Sequence, residues 1–169
     1  MSLLNKLEQW DGVHTEQLIE AYGDGSNQLI NQTITLTANP KVEVAATWLL
    51  KHHIDSGGTL SDRQSRDIVS VLQQLDHWAA RLHILQILES VTVQQDEWSL
   101  VESFCRSGIG HDGKFVRAWS FRGLALVAEN VPDLKPEVIR LCEDAIADEA
   151  ASVKVQLRRA LKKLDASSA

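Results

Sequence analysis

The sequence predicts an all-α protein, an α–α superhelix of about four helical hairpins, the last incomplete or capping. Apolar residues recur at helical spacing along most of the 169 residues. Four segments share one apolar pattern at spacings of 36, 38 and 37 residues, beginning at Val42, Trp78, Val116 and Val153. The best strand candidate, the β-branched run 33–37, is interpreted as the end of a helix that starts at about Ser26. Regular repetition of helical segments at this period is typical of stacked hairpins.

Each repeated segment is predicted to be the first helix of a hairpin. Residues at offsets of 0, 4, 7 and 8 from each start trace one face of a helix. In the third segment these are Val116, Ser120, Gly123 and Leu124. The second segment fits least well, because Gln86 occupies its last position.

Second helices are predicted between the first ones. Ser61 is a suitable N-cap for one of them, and Pro136 stands where a first-turn proline is tolerated in another. A third runs over 95–107 and carries Trp98 with other apolar residues on one face. Three residues share offset 26 from the starts of their segments, which favours true repetition: Ile68, Phe104 and Cys142.

These helices divide the chain into three predicted regions. Residues 1–38 form amino-terminal capping helices, two of them over about 3–10 and 14–22. Residues 39–165 form the repeats, and 166–169 form a flexible tail. The repeat boundaries are expected at about 39–75, 76–113, 114–150 and 151–165.

At this point the chain resembles the HEAT/armadillo superfamily of α-solenoids. The clearest match is Lys114-Phe115-Val116-Arg117 followed by Ser120 and Leu124, a valine–arginine pair ahead of spaced small and leucine residues. The resemblance covers roughly residues 40–164. It implies that second helices line a concave surface, which such solenoids use to hold extended partners. The family's arginine is missing at this offset in the first two segments, where Glu43 and Ala79 stand.

Composition and charge count against several classes of function. A formal net charge of −6 disfavours general binding to nucleic acid, whose affinity comes chiefly from neutralised phosphates. No apolar run approaches the roughly 18 residues of a membrane span, and the first residues lack the apolar core of a signal peptide. A cytoplasmic protein without a cofactor is therefore expected.

No residue pattern predicts catalysis or a metal site. The two cysteines, Cys105 and Cys142, fall in apolar stretches and are expected to be buried and reduced. The six histidines include no pair at metal-ligand spacing, and the loop 108–113 has the glycines of a phosphate loop without its Gly-Lys-Ser/Thr ending. Ordinary surface histidines and a plain loop are the expected interpretation.

Candidate binding residues come from the second helices and the last helix. The second helices offer polar residues that could face a concave side, together with Trp98: Arg63, Arg66, Arg106, Glu137, Arg140 and Asp144. The last helix carries a basic side that is interpreted as a polar cap or as a docking site for an acidic partner: Arg158, Arg159, Lys162 and Lys163.

Three functions are compatible with these residues. The first is an interaction or scaffold module that binds a protein or peptide on the concave face. A nucleic-acid-binding or DNA-repair solenoid is the alternative, and it requires Trp98 to be exposed in a basic groove. An accessory subunit resembling HEAT-like lyases that attach pigments is the second alternative, and buried inert thiols would count against it. A short array could also form a homodimer through an exposed end.

Overall fold

The computed structural model describes residues 1–167, and every regular element among them is helical. The all-α prediction is therefore confirmed, including a helix at 27–37 where the strand candidate lay. The α-helices are α1 (Leu3–Glu8), α2 (Thr15–Tyr22), α3 (Asn27–Thr37), α4 (Glu43–Asp55), α5 (Asp62–Val71), α6 (Trp78–Ile87), α7 (Trp98–Gly108), α8 (Lys114–Asn130), α9 (Lys135–Asp148) and α10 (Ala151–Ala166). Short 3₁₀ turns lie at Leu72–Gln74, Leu88–Ser90 and Pro132–Leu134.

Helix starts follow the capping residues that the sequence offers. Ser26 and Ser61 cap α3 and α5 through their hydroxyl oxygens, and Gln64 completes a capping box with Ser61. Pro136 lies in the first turn of α9, as predicted. Helix α7 begins at Trp98, three residues later than predicted, and in the preceding turn the Glu97 side chain accepts a hydrogen bond from the Gln94 backbone N–H.

The chain forms two compact units, Met1–Val93 and Gln94–Ala169. In the first unit α4 packs against α3 and α6, while α1 and α2 share its core. In the second unit α8 packs against α7, α9 and α10, and α10 also packs against α9. The boundary between the units falls inside the predicted repeat 76–113. The predicted tail 166–169 begins with the last residue of α10, and 168–169 lie outside the described residues.

The repeat pattern is buried as expected in three of the four first helices, apart from the half-buried Leu161, and the first helix of the second repeat, α6, requires a correction. Trp78 is 52% exposed, because it is the first residue of α6 and follows the capping residue His77. The buried residues at offsets 0, 4, 7 and 8 start two positions later, at Ala80, Ile84 and Ile87 of α6 and Leu88 of the following 3₁₀ turn. With Ala80 as the start, the spacings between segments become 38, 36 and 37 residues.

In two repeats, the residue that follows the first apolar position makes hydrogen bonds to the segment that precedes the next first helix. Glu43 is buried, and its carboxylate accepts hydrogen bonds from the backbone N–H groups of Asp76 and His77 at 3.1 and 2.9 Å, directly before α6. Arg117 reaches Glu149, directly before α10. Each of these side chains therefore fixes the segment that leads into the next first helix. No helix among residues 1–167 is long and apolar enough to cross a membrane.

Candidate functional site

Arg106 connects the second helices α7 and α9. Its Nη1 and Nη2 atoms donate hydrogen bonds to the two carboxylate oxygens of Glu137, at 3.1 and 3.0 Å. Its Nε atom donates to Glu102 on the same helix, at 2.7 Å. The hydrogen bonds that Arg106 donates to Glu137, and then the one to Glu102, raise the pKa of Arg106 above its usual value. A two-pronged arginine–carboxylate contact fixes orientation as well as distance, so α7 and α9 are held side by side here.

Both of the helices that Arg106 joins also carry exposed, mostly polar residues. Both helices bury the opposite face, where Val101 and Phe104 of α7 and Val138 of α9 are inaccessible to solvent. We call the exposed residues the α7–α9 surface: Leu100, Ser103 and Ser107 of α7, with Arg140, Glu143 and Asp144 of α9. Leu100 is 41% exposed and provides an apolar contact point among polar neighbours.

A close approach between α7 and α8 supports the carboxyl-terminal part of this surface. A Cβ atom added to Gly108 would overlap the Oγ atom of Ser120 on α8. Glycine at the end of α7 thus permits an approach that no other residue would allow without a shift. The Ser120 hydroxyl is fully buried and has no hydrogen-bond partner among the described residues.

Arg117 holds the end of α9 and the glycine-rich loop in place. Its Nε and Nη2 atoms donate to the Glu149 carboxylate at 2.6 and 2.9 Å, and Nη1 donates to the carbonyl oxygens of His111 and Asp112, both at 2.8 Å. The same contact raises the pKa of Arg117 and lowers that of Glu149. A cleft of about 400 Å³ lies beside these groups, and Phe121 and Asp148 also line it. Arg117 is part of the valine–arginine pair that carries the family resemblance, but its contacts with the loop were not predicted from the sequence.

The predicted basic side of the last helix is present on α10, apart from Lys163. Arg158, Arg159 and Lys162 are exposed and have no ion-pair partner within residues 1–167. Lys163 instead forms an ion pair with Glu129 of α8, at 3.1 Å. It thus belongs to the packing of α10 against α8 rather than to the exposed basic face.

In the first unit, the two candidate arginines of α5 are exposed. Arg63 has a 92% exposed side chain and lies 4.0 Å from the Asp67 carboxylate, one helical turn away. Such an exposed pair contributes little to stability. Arg66 is also exposed on this helix. Both are therefore exposed charged residues of the first unit.

The structure corrects the interpretation of two tryptophans. Trp98 is only 8% exposed, on the same face of α7 as Val101 and Cys105, because these positions follow helical spacing. Trp98 is therefore a core residue, and its ring is not exposed for stacking with a base. Trp78, which was expected to pack inward, is half exposed. The exposed Trp98 that the nucleic-acid alternative requires is absent.

Both cysteines are completely buried and form no disulfide bond within residues 1–167, as predicted. Burial raises the pKa of the Cys142 thiol to about 12, so this thiol is protonated at neutral pH and is a poor nucleophile. Within residues 1–167 no group of three or more His, Cys, Asp or Glu side chains could hold a metal ion. The thiols thus count against the lyase-subunit alternative.

Two histidines of the first unit have structural contacts. His53 is buried; its ring nitrogens contact the Tyr22 hydroxyl at 2.8 Å and the Thr59 carbonyl at 3.1 Å. His83 lies 3.1 Å from the Thr47 hydroxyl, and burial lowers its pKa to about 4, with smaller contributions from Lys51 and His77. Both side chains therefore take part in contacts within the first unit.

Comparison with known proteins gives no relative for this chain. No family model, no curated protein and no solved structure matches it.

Proposed function

We propose that this chain is an interaction module that binds a protein or peptide on the α7–α9 surface. The contact between Arg106 and Glu137 carries this proposal. Arg106 and Glu137 lie 31 positions apart in the sequence, and their contact joins α7 to α9. It therefore orients the exposed faces of the two helices before any partner binds. A surface that is already ordered loses less conformational entropy on binding than one that must be ordered by its partner.

The chemistry of the surface indicates the kind of partner. Leu100 offers an apolar contact, while Arg140 and Asp144 offer opposite charges one helical turn apart. A segment that covers this surface must combine an apolar side chain with polar groups that pair with both charges. The resemblance to α-solenoids points to the same class of function, since second helices line the partner-binding face in that superfamily.

The experiment begins with capture of partners from a lysate of the source organism, with and without nuclease, and identification by mass spectrometry. The affinity of a nuclease-resistant protein partner is then measured for the wild-type chain and for R140E/D144K. This variant reverses both charges and leaves the net charge unchanged. We expect binding to weaken by about tenfold or more, which corresponds to about 1.4 kcal/mol.

The matched control is R63E/D67K on α5. It reverses an exposed Arg–Asp pair with the same spacing in the first unit, also without a change of net charge. We expect it to bind as the wild type does. Weaker binding by the control, with R140E/D144K unaffected, would place the site on α5 and refute the proposal. Reversal of Arg106 is a poorer test, because it also breaks the contact with Glu137.

A further inference from the structure

The exposed face of α10 combines positive charge with an apolar residue. Val155 is 43% exposed, and Arg158, Arg159 and Lys162 lie on the same side of the helix, because positions i, i+3, i+4 and i+7 share a face. These three cations have no ion-pair partner within residues 1–167. The opposite side of α10 is fully buried at Val153 and Leu157. Packing inside the second unit therefore leaves this basic face unused.

A face of α2 has the complementary composition. Ile19 is 47% exposed, and Glu16 and Glu20 are exposed on the same side of the helix. Leu18 and Ala21 are buried on the other side. The acidic face of α2 thus also combines one exposed apolar residue with charged residues, and the sign of the charges is reversed.

The charges on the two faces have the same spacing. Glu16 and Glu20 are four residues apart, as are Arg158 and Lys162, so each pair spans about one helical turn, or roughly 5.4 Å. Two helices that approach side by side can therefore bring both charge pairs together, with Ile19 and Val155 in the contact. Shared spacing and opposite charge provide both attraction and register.

We propose that the α10 face of one molecule docks on the α2 face of a second copy of this chain. The contact is heterologous, because two different faces meet, so one molecule can use α10 while its α2 face receives another copy. The net charge of −6 opposes association at long range, and the attraction is therefore local and sensitive to salt. This self-association is independent of the partner proposed for the α7–α9 surface.

The test is sedimentation velocity on the full chain over a wide range of concentrations. The wild type is expected to form species heavier than the monomer as concentration rises. Raising the salt from about 0.1 M to about 1 M shortens the screening length from about 10 Å to about 3 Å, and should dissociate these species. A wild-type chain that stays monomeric at every concentration at low salt would overturn the proposal.

Charge reversals identify the faces. R158E/K162E makes both faces acidic and E16K/E20K makes both basic, so each variant alone should associate at least roughly tenfold more weakly than the wild type. Mixing the two variants restores opposite charges at every contact, and association should recover. R63E/R66E is the matched control, since it changes the net charge as much as R158E/K162E does, at exposed arginines of α5. Circular dichroism checks that every variant is folded.

Failure to recover on mixing would contradict the pairing of α10 with α2. Equal weakening by R63E/R66E would also contradict it, because the effect would then come from net charge and not from these faces.

Discussion

The guanidinium group of Arg106 on α7 and the carboxylate of Glu137 on α9 share two parallel hydrogen bonds, at 3.1 and 3.0 Å. The residues are partly exposed, with 31% and 45% of their side chains accessible. The contact therefore orients two helices more than it stabilises the fold. The predictions that follow test this bridge and the core that supports the proposed surface.

Glu137→Gln removes the charge of the acceptor and one of its two hydrogen bonds to Arg106. Because the pair is partly exposed, we expect the free energy of unfolding to fall by only about 0.5 to 1 kcal/mol, measured by urea denaturation. Glu143→Gln, at an exposed position of the same helix, is the control and should change it by less than about 0.5 kcal/mol. Equal effects of the two substitutions would show that the contact between Arg106 and Glu137 contributes nothing to the free energy of unfolding.

Gly108→Ala places a methyl group where α7 approaches Ser120 of α8. Because the added Cβ overlaps the serine hydroxyl, we expect the free energy of unfolding to fall by about 1 to 3 kcal/mol. Gly110, which has open space where a Cβ would stand, provides the control substitution Gly110→Ala. Comparable stability of the two alanine variants would contradict the close approach.

Ser120→Ala removes a buried hydroxyl that has no hydrogen-bond partner among the described residues. Burial of an unpaired polar group is costly, and alanine is the better helix former, so we expect stability to rise by roughly 1 kcal/mol. In the double variant with Gly108→Ala, loss of the hydroxyl should relieve part of the overlap. A double-mutant cycle measures this coupling, and purely additive effects would refute it.

Trp98→Ala tests whether Trp98 is a buried core residue and not a binding residue. Truncation of a buried tryptophan should lower the free energy of unfolding by about 3 to 5 kcal/mol. Trp78→Ala, at a half-exposed position, should lower it by less than about 1 kcal/mol. A mild effect at Trp98 together with loss of partner binding would return this residue to the binding surface.

His83 predicts a pH dependence of stability in the first unit. Its pKa falls from 6.5 to about 4 on folding, so between these values the unfolded chain binds the extra proton. Stability from this group is complete above about pH 6.5 and is lost as the pH falls toward about 4, by up to about 3 kcal/mol. Denaturation of the wild type and of His83→Asn at several pH values measures it. An equally steep fall in the variant would assign the effect to other groups.

The helices and their caps were predictable because they depend on local sequence. Apolar spacing placed the first helices, and Ser26, Ser61 and Pro136 marked helix starts correctly. The predicted register of α6 was wrong by two residues, because Trp78 is an apolar residue that lies at an exposed helix start. With the corrected start at Ala80, Phe104 moves to offset 24, and the common offset of 26 is lost for the second repeat.

The candidate site was only partly predictable. Arg140 and Asp144 are exposed as expected, whereas Trp98 is buried, and its helical spacing with Val101 and Cys105 already indicated that face. Arg106 was predicted as a free contact residue. Its partner Glu137 lies 31 residues away, and such a pairing depends on packing that no local pattern encodes. The pairing of Lys163 with Glu129 was missed for the same reason.

The most direct test of the proposed binding surface is hydrogen–deuterium exchange of the full chain with and without its nuclease-resistant protein partner. We expect the partner to slow exchange in residues 98–108 and 135–148, the two helices that Arg106 joins. Slower exchange confined to 62–71 or 151–166, with no change in those two helices, would contradict it.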